Sequence, residues 1–281
     1  MNNLNGKTAV VTGGTDGIGA ATARALRDRG AAVVIIGRSA AKAANLEREP
    51  ALHGGSLQAL TADFSSMAQV RSVVRQLAEG HRHIDFLVHA VGILITRAQY
   101  TDEGLEMDLA VSYVFLEEAA ALGLLKGATR MVNIAASAPE VPKYARMEFD
   151  DLDTVRARTG MKGHGQAQLA NDLLTAQAPG RYGITAVGYG PGAVNTSIRR
   201  EVPKILQAVM KPFYARATRQ PQDTAADLLA LLVDEPTPPS SVTFANRDGR
   251  FGPAAYLTDP RRQDDLISVS DALARQAAGT G

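Results

Sequence analysis

Between residues 8 and 37 the chain reads strand, glycine turn, helix, strand, with no slack between the elements. Thr8 to Thr12 is a β-branched apolar run that stops on Gly13-Gly14-Thr15-Asp16-Gly17-Ile18-Gly19. Ile18 to Arg29 is then an Ala-rich helical stretch ended by Gly30, and Ala32 to Gly37 (Ala-Val-Val-Ile-Ile-Gly) is a second strand. The alternation continues with a helix over Ala40 to Glu49 closed by Pro50, a strand at Ser56 to Thr61, a helix at Met67 to Glu79 and a strand at Asp85 to Ala90. Beyond it the pattern predicts a helix over Leu105 to Leu124, a strand at Arg130 to Ala135, a helix over Gln166 to Ala178 and strands at Ile184 to Tyr189 and Ser241 to Ala245. Strands that are apolar throughout, rather than alternating, are covered on both faces, as in a parallel sheet between helix layers. The expected architecture is therefore α/β, a doubly wound parallel sheet of Rossmann type with helices on both faces.

No Pro/Ser linker, repeat or low-complexity tract divides the 281 residues, so residues 1–281 read as a single domain. Residues 191–221, which carry Pro191, Gly192, Pro203, Pro212 and Pro221, read as an irregular excursion bearing a helix. It follows the sixth strand, at the carboxyl edge where ligands bind in such sheets, and a substrate lid is the natural reading. From about residue 246 the chain is polar and punctuated by Gly and Pro, which predicts a partly irregular tail with a frayed end.

The formal net charge is +1 with Lys and Arg scattered, which offers no footprint for nucleic acid or an anionic membrane and favours a small-molecule substrate. The absence of cysteine excludes disulfides and thiolate chemistry. No apolar run approaches membrane-spanning length and the polar start reads as no signal peptide, so the expected location is cytoplasmic.

Gly13, Gly17 and Gly19 stand where the backbone must turn tightly between a strand and a helix. Such a turn lets the main chain approach a pyrophosphate whose charge meets the helix N-terminus. The loop candidates for a dinucleotide are accordingly Gly13, Thr15, Asp16, Gly17, Ile18 and Gly19. At the end of the second strand an acidic residue would bind a ribose 2′-hydroxyl, but the chain has Gly37-Arg38. Arg38 can hold a 2′-phosphate by charge-assisted bonds, so NADP(H) is preferred over NAD(H).

Over about residues 5–200 the sequence resembles the short-chain dehydrogenase/reductase superfamily, in particular its retinol-dehydrogenase-like branch. Thr12-Gly13-x-x-x-Gly17-Ile18-Gly19 is similar to the cofactor loop of that family. Asp63 falls where its adenine-contacting Asp stands, and Pro191-Gly192-x-Val194-x-Thr196 is similar to its nicotinamide loop. Thr101 to Glu106 resembles the entry to the branch's central helix. By the resemblance Asp63, Ala90, Gly92, Gln168, Pro191, Gly192, Val194 and Thr196 join the cofactor set.

The motifs that carry the family's catalysis depart from its pattern. The Asn-Asn-Ala-Gly segment is His89-Ala90-Val91-Gly92, and the central-helix Asn falls on Ser112. The catalytic Ser aligns with Ala136, with Ser137 one position late. In the Tyr-x-x-x-Lys helix the register puts His164 on Tyr and Gln168 on Lys, so all four tetrad members are replaced. The change is chemically coherent. Tyrosine, near 10, needs a neighbouring cation to reach a useful pKa, whereas histidine, near 6.5, does not. Gln168, one helical turn from His164, retains a hydrogen bond for the cofactor ribose. His164 is the leading acid/base candidate, with Ser137, Tyr144 and Ser112 as replacements for the group that polarises the substrate oxygen. His89 reads as a residue that satisfies backbone between strands, or that bonds the adenosine side.

Three functions follow. The first is an NADP(H)-dependent carbonyl reductase or alcohol dehydrogenase using His164. The second is a non-redox cyclase, isomerase or lyase on a redeployed fold, as in a secondary-metabolite pathway. The third is a non-catalytic NADP(H)-binding pseudoenzyme. The resemblance also implies a homo-oligomer, dimer or tetramer, formed through the two long helices Leu105 to Leu124 and Gln166 to Ala178.

Overall fold

The computed structural model describes residues 3–91, 107–134, 161–196, 219–235 and 238–278, and for 107–111, 161–167 and 273–278 the backbone alone. Strands β1 (Thr8–Thr12), β2 (Ala32–Gly37), β3 (Ser56–Thr61), β4 (Phe86–His89), β5 (Arg130–Ile134), β6 (Thr185–Gly190), β7 (Val242–Asn246) and β8 (Gly249–Phe251) form one sheet. Their order is β3-β2-β1-β4-β5-β6-β7-β8, and every neighbouring pair is parallel except β7 with β8. The helices are α1 (Gly17–Arg27), α2 (Ala40–Glu47), α3 (Met67–Gly80), α4 (Met107–Ala121), α5 (Met161–Tyr182), α6 (Pro221–Leu229) and α7 (Pro260–Ala278).

Each inner strand feeds two cores, because successive side chains leave opposite faces of the sheet. Val10, Val34, Ile36, Leu87 and Met131 point into a layer with Val74, Phe115 and Leu173 of α3, α4 and α5. Ala9, Val11, Val33, Ile35, Val88 and Val132 point into the opposite layer with Leu26, Leu46 and Leu228 of α1, α2 and α6. This is the physical content of the continuous apolar strands, and the α/β fold is as expected.

The helix starts are written locally. Asp16, Ser39 and Ser66 cap α1, α2 and α3 through their side chains, which satisfy backbone N–H groups that have no partner within the helix. Helix α5 is longer than its sequence pattern predicts and takes in Pro179 near its end. Helix α6 was hidden in the Pro-rich region; it starts at Pro221 behind a capping box between Gln220 and Asp223. Beyond residue 246 the tail, expected to be partly irregular, carries more regular structure than its sequence suggests: β8 pairs antiparallel with β7, and Pro260–Ala278 is helical. The sequence there is polar, yet Leu266 and Ser270, one turn apart, are buried while Arg261, Arg262, Asp264 and Asp265 face solvent.

Most of the excursion after β6 lies outside the described residues, but its two ends are held together. Asn195 N–H donates to Arg219 O at 2.9 Å, and Arg219 N–H to Ala193 O at 3.1 Å. The Arg219 guanidinium pairs with Asp227 on α6, whose carboxylate also accepts from the Tyr189 hydroxyl at the end of β6. No helix among the described residues is long and apolar enough to cross a membrane.

Candidate active site

The chain builds β1, β2 and β3 outward in one direction and then returns to place β4 on the other side of β1. At such a reversal, at the carboxyl ends of the strands, sheets of this kind leave a crevice that is the usual ligand position. The glycine loop lies there. Gly13 has φ 67°, and a Cβ on it would stand 2.7 Å from Ala90 O. A Cβ on Gly19 would stand 2.3 Å from Gly13 O, so the first turn of α1 sits directly on the loop. A side chain at either position would fill the space that brings main-chain N–H groups to the surface of the crevice.

Asp16 uses one carboxylate oxygen to accept from Gly17 N–H at 2.7 Å and the other to pair with the Lys42 ammonium in the first turn of α2. Thr15 packs against Gly37, and the loop is thereby tied to the end of β2. Arg38 is exposed at that end, close enough to Asp63 to help lower its carboxyl. The larger causes of that lowering are the Ser65 N–H, which donates to Asp63 at 3.0 Å, and the Ser65 hydroxyl. From the opposite side Thr196 reaches the loop, its methyl lying 3.1 Å from where a Cβ on Gly17 would sit. Val194 forms the bridge to Arg219, Gly192 turns with φ 65°, and Pro191 leads out of β6. The structure thus brings together Gly13, Thr15, Asp16, Gly17, Ile18 and Gly19 with Ala90 on one side and Thr196 on the other. These groups fit a dinucleotide, since the loop is open where a pyrophosphate requires it and a cation stands at the end of β2.

The floor of the crevice is polar. Thr12, His89 and Asn133 are register partners across β1, β4 and β5, and all three are buried. His89 Nδ1 lies 3.1 Å from Thr12 Oγ1, its ring stands edge-on to Phe115 at 5.3 Å, and Nε2 has no hydrogen-bond partner among the described residues. Burial pulls its pKa down to about 3, so the ring is neutral near pH 7. The reading of His89 as a ligand to strand backbone is therefore corrected: its contact is a side-chain hydroxyl. Asn133 Nδ2 donates to Asn171 O at 3.4 Å and to Thr175 Oγ1 at 3.2 Å, which ties β5 to α5. Asn171 Oδ1 is a second buried atom without a partner among the described residues.

Ser112 is buried on α4 and Gln168 is buried on α5, the helix that packs against it. His164 lies on α5 one turn before Gln168, and its side chain is outside the described residues, as are Ser137, Tyr144 and Gly92 entirely. Sequence reasoning missed Lys42, although its place four residues beyond Arg38 in the first turn of a helix was a signal. It read His89 singly, without joining it to Thr12 and Asn133, the polar residues near the ends of the neighbouring apolar strands.

The model of the short chain dehydrogenase family matches residues 7–147. Human dehydrogenase/reductase SDR family member 13 is 32% identical over 99% of this chain and 76% of its own length. A Streptomyces protein provisionally named daunorubicin C-13 ketoreductase DnrU is 28% identical over 91% of this chain and 88% of its own. Human retinol dehydrogenase 14 is 27% identical over 75% and 68%. A 3-oxoacyl (acyl-carrier-protein) reductase from Agrobacterium tumefaciens, solved with NADP bound, superimposes with a TM-score of 0.64 at 20% identity, covering 87% of this chain and 94% of its own.

The fold and the glycine crevice define a nucleotide-binding α/β protein of the oxidoreductase type. The chain belongs to the short-chain dehydrogenase/reductase superfamily, in its retinol-dehydrogenase-like branch.

Proposed function

We propose that this protein is an NADP(H)-binding oxidoreductase that interconverts a carbonyl and an alcohol on a small molecule, with His164 as acid/base. The observation that carries this reading is the loop geometry, with Gly13 and Gly19 packed so closely that only glycine fits, at the reversal of strand order. Arg38 at the end of β2 supports a 2′-phosphate. The ketoreductase named among the relatives supports a ketone as the substrate class.

When bound, the nicotinamide supplies or accepts the hydride at the substrate carbon. The protein's part is to hold the substrate oxygen and move a proton to it. His164 does so with a ring whose ordinary pKa is near 6.5, close enough to neutrality for both proton transfers. Gln168 fixes the cofactor ribose from the next turn of α5. Ser112, Ser137 and Tyr144 are the proposed hydrogen-bonding groups around the oxygen.

Two measurements on purified protein test the reading. The His164→Phe variant is expected to lose about 100-fold or more in kcat for NADPH-dependent ketone reduction, within the range of a lost acid/base group, with NADPH affinity unchanged. Arg38→Gln is expected to weaken NADPH about tenfold while leaving NADH unmoved, the loss of one charge-assisted contact. Tight dinucleotide binding without turnover across a broad panel of ketones and alcohols would overturn the redox assignment.

A further inference from the structure

The two long helices that the family resemblance offers as a contact face between copies are covered by the chain itself. On α5, Gln168 through Thr175 are all buried, and on α4, Ser112 through Leu116 are as well. A helix sealed all round for more than a turn has neighbours on every side. Helix α4 lies between α3 and α5, α5 also packs on β5, β6 and β7, and α7 lies against both α4 and α5.

The contacts of α7 are specific. Gln177 Nε2 on α5 donates to Gln263 O at 2.9 Å, and Gln263 Nε2 turns back to Leu257 O at 2.6 Å. At the other end of α7 the Tyr113 hydroxyl of α4 donates to Asp271, and both burial and that carboxylate raise the phenol's pKa. Between them Leu257 and Leu266 are buried in the same core as Leu169, Leu173 and Leu174, with Tyr256, Ile267 and Val269 packed at its margin. Tyr256 is close enough to buried Asp172 of α5 that burial and this charge push its phenol up to about 12. The outward side of α7 is charged, with Arg261, Arg262, Asp264 and Asp265 exposed.

We propose that α7 takes the seat of a second copy on the α4–α5 face, so that the chain closes this face on itself and cannot associate through it. The helices that carry Ser112, His164 and Gln168 are then braced within one chain rather than by a neighbour. The proposal does not depend on which nucleotide or substrate the crevice takes.

The lack of cysteine makes a clean test available. Gln177→Cys and Gln263→Cys are introduced together into the full chain and joined with a short bismaleimide. Mass is measured by light scattering over a wide concentration range before and after cross-linking. The expected result is near-complete cross-linking within one chain and an unchanged mass. A multimer whose mass survives with α7 pinned also supports the proposal, because its interface then lies elsewhere. Cross-linking that joins different chains, or that fails, would overturn it, as would a multimer that cross-linking dissociates.

Discussion

The two sides of the crevice are built by different means. On the β1–β2 side the shape is backbone: a loop turned by Gly13, closed by Gly19, and trimmed by exposed pairs such as Asp16 with Lys42 and Arg24 with Glu49. On the β4–β5 side it is buried side chains: His89 and Asn133 in the sheet, Asn171 and Thr175 on α5, with His89 Nε2 and Asn171 Oδ1 unpartnered among the described residues. A backbone cradle tolerates almost no change, because steric exclusion is absolute at these distances. A side-chain floor can exchange one polar group for another if hydrogen bonds are kept. The loop therefore answers to substitution by exclusion, and the floor by its hydrogen bonds.

The comparison can be broken from the backbone side first. Gly13→Val requires a left-handed φ of 67° from a β-branched residue and drives its Cβ against Ala90 O. It is expected to cost about 1–3 kcal/mol in strain, read by chemical denaturation, and to abolish dinucleotide binding, read by fluorescence titration. A variant that binds normally would remove the cradle from the site.

The floor gives a pH signature. The folded pKa of His89 is depressed to about 3, so the unfolded chain binds the additional proton between that value and about 6.5. Stability from the neutral ring is fully present above about pH 6.5 and falls as the pH drops below it, by up to about 1.4 kcal/mol per unit. His89→Leu is expected to flatten the stability profile between pH 6.5 and 4 while losing the Thr12 contact at neutral pH. An unchanged acid slope would mean that the ring is not buried neutral.

The smallest effect is expected at the outer ion pair. Arg24 and Glu49 are joined at 2.6 and 2.7 Å but are 40% and 35% exposed. Arg24→Met is expected to change stability by less than about 1 kcal/mol, an effect that added salt reduces further. A loss comparable to that of Gly13→Val would show that surface charge, not backbone shape, holds this side together.

Much of this was legible locally. The strands from β1 to β7 could be read to within a residue or two, because each is a short apolar run bounded by Gly, Pro or a polar cap. The loop residues Gly13, Gly17 and Gly19 could be named for the same reason: the demand on them is made by neighbours close in sequence. Helix α6 was obscured by the prolines around it, although Pro221 fits a first helical turn. Helix α7 was missed because its apolar content is low and its burial depends on a face made by residues more than 80 positions earlier.

The sequence alone determined the alternation of strands and helices, the glycine turn and the positive charge after β2, since each follows from steric and hydrogen-bonding needs within a few residues. Only the tertiary structure decided that His89 faces Thr12 and Phe115, that Lys42 neutralises Asp16, and that α7 seals α4 and α5. Those outcomes rest on contacts between elements distant in sequence, where burial removes solvent and makes one neighbour decisive.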